Sequence, residues 1–541
     1  MSLPSTLVAG FGSREALATE AGARRAFWVV FWMLLAVRAG LAGALPLTGD
    51  EAYYVRWGLH PAWGYYDHPP LIGWLLAPFA SLGLHPLWVR MPQVLAVPVV
   101  ALVLVAAVRD LGGGSRRTAA WLAGLLFVAS GPSVLNVFVV TDTPLAVASA
   151  LAGWAWLRAA RDGRLRDYAL AGLALGVAFT AKYFAVLLGL AFTVHALAGS
   201  RPERRRGWVV MFACALPFGL AHLAWNGMNC WWTVSFNMIN RPQHNAGLAT
   251  SLGLLALSLL YLLPPPLLRA WTRRGPATIA ARDDGLLWML AVPALVFLLV
   301  ALTRPVGFHW LLSIWPFCFL LLGLRVEAGA LAGPARFMVG FAAVHVLVAA
   351  AVVLLPGQVF ESQARGGRGG QLYTGFVLVR HGDEVLSAMA PHAEGALLGA
   401  LSGSTAATLW HLSGARPTLM LAEGSGYSRQ FDRDTDFRAV EGRDVLVLAK
   451  RPFEPGDLER YFAGVEYREI TVRGARFHLA RGHAFRYAAY RDAVLVRVRD
   501  RFYARPSWLP SGGCFFCERY FAGEVCPVTP DRAPAGAPAL P

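Results

Sequence analysis

The stretch TGDEAYYVRWGLHPAWGYYDHPP, residues 48–70, directly follows the first long apolar segment of the chain. It carries the acidic residues Asp50, Glu51 and Asp67 and the basic residue His68 among several tyrosines and tryptophans. Ionisable side chains at a membrane are energetically costly and commonly functional. This stretch is therefore the first candidate for a functional site.

The composition around this stretch is that of a membrane protein. Of 541 residues, 56% are hydrophobic and 15% are charged, against roughly 25% charged in an ordinary soluble domain. The formal net charge is +16, but the arginines lie between apolar segments instead of on one soluble face. The sequence therefore predicts contact with membrane lipids and no nucleic-acid partner.

Apolar segments long enough to cross a hydrocarbon layer of roughly 30 Å recur through the first two thirds of the chain. A shorter apolar stretch over residues 71–84 follows two prolines and is predicted to be an interfacial helix. The predicted fold class is a polytopic α-helical membrane protein with about 11–13 transmembrane helices. The eleven predicted crossings are residues 26–46, 88–108, 118–137, 141–159, 168–181, 183–199, 208–225, 249–269, 285–303, 307–324 and 335–356.

Arginines are concentrated in every second loop, and this distribution predicts the orientation of the crossings. The arginine-rich loops lie around residues 14–25, 109–117, 158–166, 201–206, 269–282 and 325–336. The opposite loops up to residue 356 carry only Arg56, Lys182, Arg241 and Arg304. Because positive residues are retained on the cytoplasmic side, the N-terminus is predicted to be cytoplasmic and the opposite loops external. Everything after residue 357 then also lies outside.

The chain divides into a membrane part and a soluble part. Residues 1–25 are predicted to be a cytoplasmic N-terminus, 26–356 a membrane domain with juxtamembrane helices over 49–84, 357–526 an α/β domain and 527–541 a disordered tail. In the soluble part, strands are predicted over 396–401, 417–421 and 444–450, a helix over 405–412 and a β-rich end over 467–480. Strands that alternate with a helix favour a partly parallel sheet.

Cys514, Cys517 and Cys526 form a short cluster near the C-terminus, and we assign the other three cysteines to membrane spans, namely Cys214, Cys230 and Cys318. In an oxidising exterior, the C-terminal cluster is expected to form one disulfide and leave one thiol. A zinc site is the alternative, although a fourth ligand is not apparent.

Thr48 and Glu51 have the spacing of a capping box, in which both side chains satisfy free backbone amides at the start of a helix. This is an ordinary structural role for Glu51. It leaves Asp50 only a small electrostatic role at the helix start, so a functional role for Asp50 stays open beside the structural one.

A helix over residues 49–60 would place Asp50 on one side with Tyr53, Tyr54 and Trp57. This arrangement predicts a carboxylate edged with aromatic rings at the membrane surface. Tyrosine and tryptophan also favour the interface in any membrane protein, so an interfacial belt is the alternative interpretation.

Further ionisable residues fall on the same predicted external side. Asp142 follows Thr141 and could simply help that residue to start a helix. Lys182 lies where two spans meet, and extension of its side chain to the interface is the ordinary alternative to a functional role. The remaining residues of this set are Arg241, His244, Arg304 and His309. Together they predict an external cavity with acids, bases and positive charge for an anion.

The motifs DEAYY, YYDHPPLIGW, TDTPL, AKYFAVL and HW…WP follow one another through the membrane part. In this order they resemble the bacterial membrane glycosyltransferases of the protein O-mannosyltransferase and aminoarabinose (lipid A) transferase superfamily. The resemblance implies the GT-C fold, an inner-membrane location with a periplasmic C-terminal domain, and transfer of a sugar from a polyprenyl phosphate donor.

The resemblance also implies roles for individual residues. Asp50 matches an acid that acts as general base or orients the acceptor, and Asp142 is a second catalytic candidate. Asp67 matches a carboxylate that binds metal in the aminoarabinose enzymes. His68 and Tyr53 stand where those enzymes have a lysine and an arginine, which leaves direct phosphate contact by His68 in doubt.

Other residues must then neutralise the charge of the donor phosphate. The candidates for this role are Lys182, Arg241, Arg304 and His68. A divalent metal, zinc or magnesium, could share it through Asp67 with His244 or His309. The candidates for acceptor binding are Glu51, Tyr54, Tyr66, Arg429 and Gln430. The alternative for the C-terminal residues is that their domain only stabilises the protein.

The acceptor stays open among lipid A, another lipid, a glycan and a protein hydroxyl, and a monomer is expected. A lipid or solute transporter is the main alternative function. Such a protein is expected to show internal repeats and polar groups spread through the depth of the membrane. The sequence shows no such repeat.

Overall fold

The computed structural model describes residues 13–198, 201–241, 246–272, 285–354, 367–421, 423 and 425–529. The chain folds into two compact units. The first unit comprises Met1–Ala44, Val89–Ala221 and Gln243–Val353. The second unit comprises Leu45–Trp88, His222–Pro242 and Leu354–Pro541.

Apolar α-helices account for most of the chain outside the soluble part. Their bounds are Arg14–Leu17, Glu20–Ala44, Pro86–Gly112, Arg117–Val128, Gly131–Leu135, Asp142–Asp162, Leu165–Ala181, Ala185–Ala198, Pro202–Gly227, Leu248–Leu262, Pro265–Trp271, Gly285–Ala301, Trp315–Arg325 and Ala328–Leu354. Short 3₁₀ helices cover Gly114–Arg116 and Phe308–Ser313. Each of the eleven predicted crossings coincides with at least one of these helices.

The described helices differ in length and in apolar character. Four described helices are long and apolar enough to cross a membrane: Glu20–Ala44, Pro86–Gly112, Pro202–Gly227 and Ala328–Leu354. The pair Leu248–Leu262 and Pro265–Trp271, bent by 77°, could form a fifth span. The other predicted crossings coincide with helices that are shorter or less apolar, so their number stays a prediction.

The second unit combines short helices with strands. Its N-terminal segments form the helices Gly49–Leu59, Leu71–Ala80 and Trp232–Ser235, with a π-helical turn at Phe236–Asn240. Its C-terminal part contains the helices Gly367–Arg380, Gly382–Met389, Gly403–Leu412, Gln430–Asp434, Tyr487–Tyr490, Val496–Val498 and Phe515–Tyr520. It also contains 3₁₀ helices at Ala390–His392, Phe437–Val440 and Glu459–Tyr461 and π-helical turns at Arg491–Leu495 and Arg499–Tyr503.

A five-stranded sheet forms the centre of the C-terminal part. Its strands are β1 (Leu397–Ala400), β2 (Thr418–Met420), β3 (Val445–Ala449), β4 (Phe462–Val472) and β5 (Ala475–Phe485), in the order β2-β1-β3-β5-β4. β2, β1 and β3 are parallel, whereas β5 is antiparallel to both β3 and β4. The predicted partly parallel sheet is therefore confirmed. Two short parallel strands, β6 (Arg505–Pro506) and β7 (Val528–Thr529), form a separate pair.

One apolar core joins the three sequence segments of the second unit. Tyr66 and Trp232, from its N-terminal segments, share this core with Val447, Phe485 and Phe516 of the C-terminal part. All five are fully buried. The juxtamembrane stretch around Tyr66 therefore folds with the C-terminal residues.

The cysteines form two disulfides instead of the predicted one. Cys230 is bonded to Cys514, which lies 284 residues later, and Cys517 is bonded to Cys526. The sequence assigned Cys230 to a membrane span, but the helix Pro202–Gly227 ends before it. Cys230 is thus free of that helix and available to Cys514, while Cys214 and Cys318 are unbonded.

Candidate functional site

Helix Gly49–Leu59 begins with the predicted capping box. The backbone N–H of Glu51 donates to the Thr48 hydroxyl at 3.3 Å, and the backbone N–H of Thr48 donates to Glu51 Oε2 at 3.0 Å. Glu51 is only 1% exposed. The structural interpretation of Glu51 is therefore confirmed, and its predicted part in acceptor binding stays a prediction.

The aromatic residues after Asp50 pack against one another. The rings of Tyr53 and Tyr54 each contact the ring of Trp57, with centroids 5.0 and 4.8 Å away. Trp57 also stacks on Tyr65 at 4.3 Å, and the Tyr65 hydroxyl donates to the Trp57 carbonyl. These contacts fold the two halves of residues 48–70 onto each other, so the aromatic rings fix the positions of the acids that they surround.

Asp67 is a buried carboxylate with an unusual proton affinity. Burial raises the pKa of its carboxyl to about 7, and the charge of Asp50 adds to the increase. A hydrogen bond from the Tyr53 hydroxyl and the charge of Arg241 act in the opposite direction. Asp67 Oδ1 has no hydrogen-bond partner among the described residues. A carboxyl whose pKa is shifted close to neutral pH by burial and neighbouring charges is typical of functional sites.

Asp50 differs from Asp67 in its accessibility. Its side chain is exposed to solvent, yet the surrounding protein partly desolvates the carboxyl and raises its pKa, and the charge of Glu51 contributes to the shift. The charge of Asp50 acts on Asp67, so the structure brings these two predicted site residues together. His68 lies beside them, with its ring about 6 Å from the rings of Tyr54 and Trp57.

A segment of the C-terminal part packs on the acid-bearing helix. The backbone N–H of Gln430 donates to the Tyr53 hydroxyl at 3.2 Å, and Gln430 Oε1 accepts from the backbone N–H of Tyr66 at 3.3 Å. Arg56 forms an ion pair with Asp434 at 2.8 Å. Gln430 thus contacts the hydroxyl that binds Asp67, which makes it part of the candidate site.

Ser428 and Asp434 are functional candidates that the sequence did not single out. The Ser428 backbone donates a hydrogen bond to Asp67 and has a φ of 62°, a left-handed conformation that is uncommon for serine. Such backbone strain occurs at functional sites. No local motif marks either residue, because their partners lie more than 350 residues earlier in the chain.

Arg429, predicted to bind the acceptor, is 1% exposed. It pairs with Asp432 at 3.3 Å and donates to the carbonyls of Glu423 and Ser425. The Tyr503 hydroxyl donates to the same Asp432 carboxylate. These contacts favour a stabilising role for Arg429. Gln430 differs, because it contacts the acid-bearing stretch.

In the first unit, Asp142 and Lys182 form a buried ion pair. Lys182 Nζ lies 2.7 and 2.8 Å from the two carboxylate oxygens of Asp142. The Thr141 side chain makes no capping hydrogen bond in the described helix start. The ordinary structural alternatives therefore do not account for this pair. Asp142 does not assist a cap by Thr141, and the Lys182 ammonium group is bound to Asp142 instead of extending toward the membrane surface.

Two further predicted residues lie in the first unit, and one lies outside the described residues. Arg304 and His309 belong to the first unit, where Arg304 is half-buried and His309 is exposed. His244 lies outside the described residues, so the predicted metal set of Asp67, His244 and His309 is not tested. Among the described residues, the metal-type ligand cluster is Cys514, Cys517 and Cys526. Their sulfurs are bonded in the two disulfides, which removes the predicted zinc alternative.

These features define a multi-pass membrane protein with an acidic, aromatic-lined site. Residues 67–225 match the family described as dolichyl-phosphate-mannose-protein mannosyltransferase. A curated relative, the lipid A galacturonosyltransferase RgtD of Rhizobium johnstonii, is 27% identical over 181 residues. That match covers 33% of this chain and 38% of the relative, so the similarity spans well under half of either protein.

Solved structures extend the similarity to the fold of most of the chain. ArnT from Cupriavidus metallidurans in the apo state aligns with a TM-score of 0.57, and the same protein bound to undecaprenyl phosphate with 0.53. Each match is 17% identical and covers 84% of this chain and 97% of that structure. The predicted GT-C fold is thereby confirmed.

Proposed function

We propose that this protein is a glycosyltransferase that moves a sugar from a polyprenyl phosphate to an acceptor hydroxyl. The observation that carries the proposal is the pair Asp50 and Asp67, in which an accessible carboxylate lies beside a buried one with a pKa near 7. The fold shared with ArnT and the family match over residues 67–225 support the proposal. In the proposed reaction, the acceptor oxygen bonds to the anomeric carbon while the bond from that carbon to the phosphate oxygen breaks.

Asp50 is the proposed general base. Its carboxylate is accessible, and a raised pKa makes it a stronger base toward the proton of the attacking hydroxyl. The proton moves to Asp50 as the new glycosidic bond forms. Tyr53 and Asp67 act beside it: the Tyr53 hydroxyl donates a hydrogen bond to the Asp67 carboxylate, and the charge of Asp50 raises the pKa of Asp67.

The donor phosphate leaves with its negative charge, so a cation near it lowers the barrier. Arg241 is the proposed candidate in the second unit, because its charge already acts on Asp67. Lys182 is the proposed candidate in the first unit, where Asp142 holds the ammonium group in place. Arg304 and His68 stay candidates for the same role.

A metal is not needed for this assignment. A divalent ion could supply charge stabilisation to the leaving phosphate, but the described residues of the second unit provide only Asp67 from the predicted set. One carboxylate does not make a binding site, so no step depends on a metal. Metal binding at Asp67 stays a prediction.

The proposed setting is the bacterial inner membrane, with the N-terminus cytoplasmic and the acid-bearing stretch outside. The arginine-poor loops that carry Asp50, Asp142 and Lys182 support this orientation. Two disulfides in the second unit support it further, because disulfides persist in oxidising compartments.

The test is sugar transfer by the purified Asp50→Asn variant. We expect transfer from a polyprenyl-phosphate sugar to fall at least about 100-fold, since general-base catalysis contributes roughly that much. Thermal stability should be near that of the wild type. Asp500→Asn, which changes an exposed aspartate in the same unit, is the matched control. Full turnover by Asp50→Asn would remove Asp50 from the chemistry, whereas movement of intact lipid-linked sugar without transfer would favour the transporter alternative.

A further inference from the structure

A cleft of about 480 Å³ lies on the C-terminal part of the second unit. The loop around Phe453 and the short helix that starts at Glu459 line one side, and the outer strands β4 and β5 line the other. Ligand sites for small molecules commonly have volumes of roughly 300–1,000 Å³. The cleft shares no residue with the acid-bearing site and has no part in the proposed reaction.

The register of the two strands places two of the lining side chains on one face of the sheet. Tyr467 lies opposite Ala480, and Glu469 lies opposite His478. Alternate residues of a strand share a face, so Tyr467 and Glu469 point to the same side of the sheet as these partners.

Tyr467 is held in place although it is exposed. Its hydroxyl donates to Glu459 Oε1 at 2.9 Å, and its ring lies 5.4 Å from that of Phe453. The residue is nevertheless 41% exposed. An aromatic ring that is already oriented loses little conformational freedom on binding. Its exposed surface is suited to the C–H face of a pyranose ring.

The charges around Tyr467 narrow the class of ligand. Glu454, Glu459 and Glu469 line the cleft together with Arg468 and His478. His478 Nδ1 lies 3.5 Å from Glu469 Oε2. Carboxylates accept hydrogen bonds from hydroxyl groups and from ammonium groups. The excess of carboxylates disfavours phosphates and uronic acids, even though the chain as a whole carries a net charge of +16.

We propose that this cleft binds a neutral or amine-bearing saccharide, with one sugar ring stacked on Tyr467 and its polar groups bonded to Glu459 and Glu469. The inference rests on the proposed function, because a saccharide site in a sugar transferase is suited to the glycan part of the acceptor. It selects a glycan-bearing acceptor from the alternatives that the sequence left open.

The test is direct binding to the purified full-length protein in a sugar-free detergent, measured by saturation-transfer NMR and calorimetry. The probes are mannotriose, a glucosamine trimer, trigalacturonate and spermine. We expect the first two to bind, with trigalacturonate and spermine at least about tenfold weaker. Tyr467→Ala should weaken saccharide binding by about tenfold or more, as expected for loss of a central aromatic contact. Trp508→Ala, which removes another exposed aromatic side chain of this unit, is the matched control.

Tyr467→Phe separates stacking from misfolding, because it keeps the ring and loses only the bond to Glu459. Its binding should lie between those of the wild type and Tyr467→Ala. Absence of saccharide binding by the wild type, equal binding by Tyr467→Ala, or stronger binding of spermine or trigalacturonate would each overturn the proposal. A protein that transfers sugar without binding these saccharides contradicts only this inference, and one that binds them without transfer contradicts only the proposed function.

Discussion

Asp67 in the second unit and Asp142 in the first are both buried carboxylates, but their surroundings differ. Asp142 has an ammonium group within 2.8 Å of both oxygens. Asp67 has an oxygen without a hydrogen-bond partner among the described residues, and burial raises the pKa of its carboxyl to about 7. The difference separates a carboxylate that is paired with a cation from one whose charge changes near neutral pH. The first arrangement is suited to holding a cation in place, and the second to proton transfer.

The largest effect is expected from breaking the ion pair of the first unit. Lys182→Met leaves the Asp142 charge buried without its partner, which should lower the free energy of unfolding by about 3–5 kcal/mol. Thermal or denaturant unfolding of the purified protein measures this loss. Lys450→Met, at another lysine of the chain, is the control.

The double variant Asp142→Asn with Lys182→Met removes both charges and should recover most of that stability. If the double variant recovers stability but not transfer activity, the pair of Asp142 and Lys182 contributes to the reaction as well as to the stability of the fold. A single variant as stable as the wild type would contradict the described ion pair.

A smaller effect concerns the pH dependence of the second unit. The pKa of Asp67 is raised from 3.8 to about 7 in the folded protein, so between these values the folded state holds a proton that the unfolded state loses. Stability should therefore fall by about 2 kcal/mol as the pH rises from about 5 to 7, and change little from this group above pH 7. Asp67→Asn should remove that dependence, as measured by unfolding at a series of pH values.

Asp457→Asn, at an exposed aspartate, should keep the pH dependence of the wild type. If the reaction needs ionised Asp67, the transfer rate of the wild type should also rise with pH through about 7. Identical pH profiles for the wild type and Asp67→Asn would contradict the assigned pKa.

The smallest effect is expected at Tyr53. Its hydroxyl stabilises the ionised form of Asp67, so Tyr53→Phe should raise the pKa of Asp67 further. The midpoint of the pH–rate profile should then move upward by less than about one pH unit. Tyr427→Phe, which removes an exposed hydroxyl, is the control. An unchanged midpoint would show that the hydroxyl does not act on Asp67.

The parts of the site that follow from local sequence were predictable. The spacing of Thr48 and Glu51 predicts the capping box. Short apolar runs predict β1, β2 and β3, and the β-rich end predicted over residues 467–480 corresponds to parts of β4 and β5. Gln430 was predicted only through the family resemblance, because its partner Tyr53 lies 377 residues earlier and no periodic pattern connects them. The ion pair of Asp142 and Lys182 was missed as a pair, since each residue had an ordinary local explanation.

The number of crossings and the disulfides show a second limit of sequence patterns. An apolar segment predicts burial in protein or lipid equally well, and several predicted crossings coincide with helices of only 10–17 residues. The pairing of cysteines depends on which segments meet in space. Cys230 was assigned by the apolar residues around it, although its partner comes from the far end of the chain.

The bond between Cys230 and Cys514 has a consequence for biosynthesis. At translation rates of roughly 5–20 residues per second, a ribosome makes Cys514 about 15–60 s after Cys230, given their separation of 284 residues. During that interval the earlier cysteine exists as a thiol without its native partner, and a competing thiol or oxidant can capture it. Correct maturation therefore depends on oxidoreductases that keep this thiol exchangeable until the end of the chain arrives.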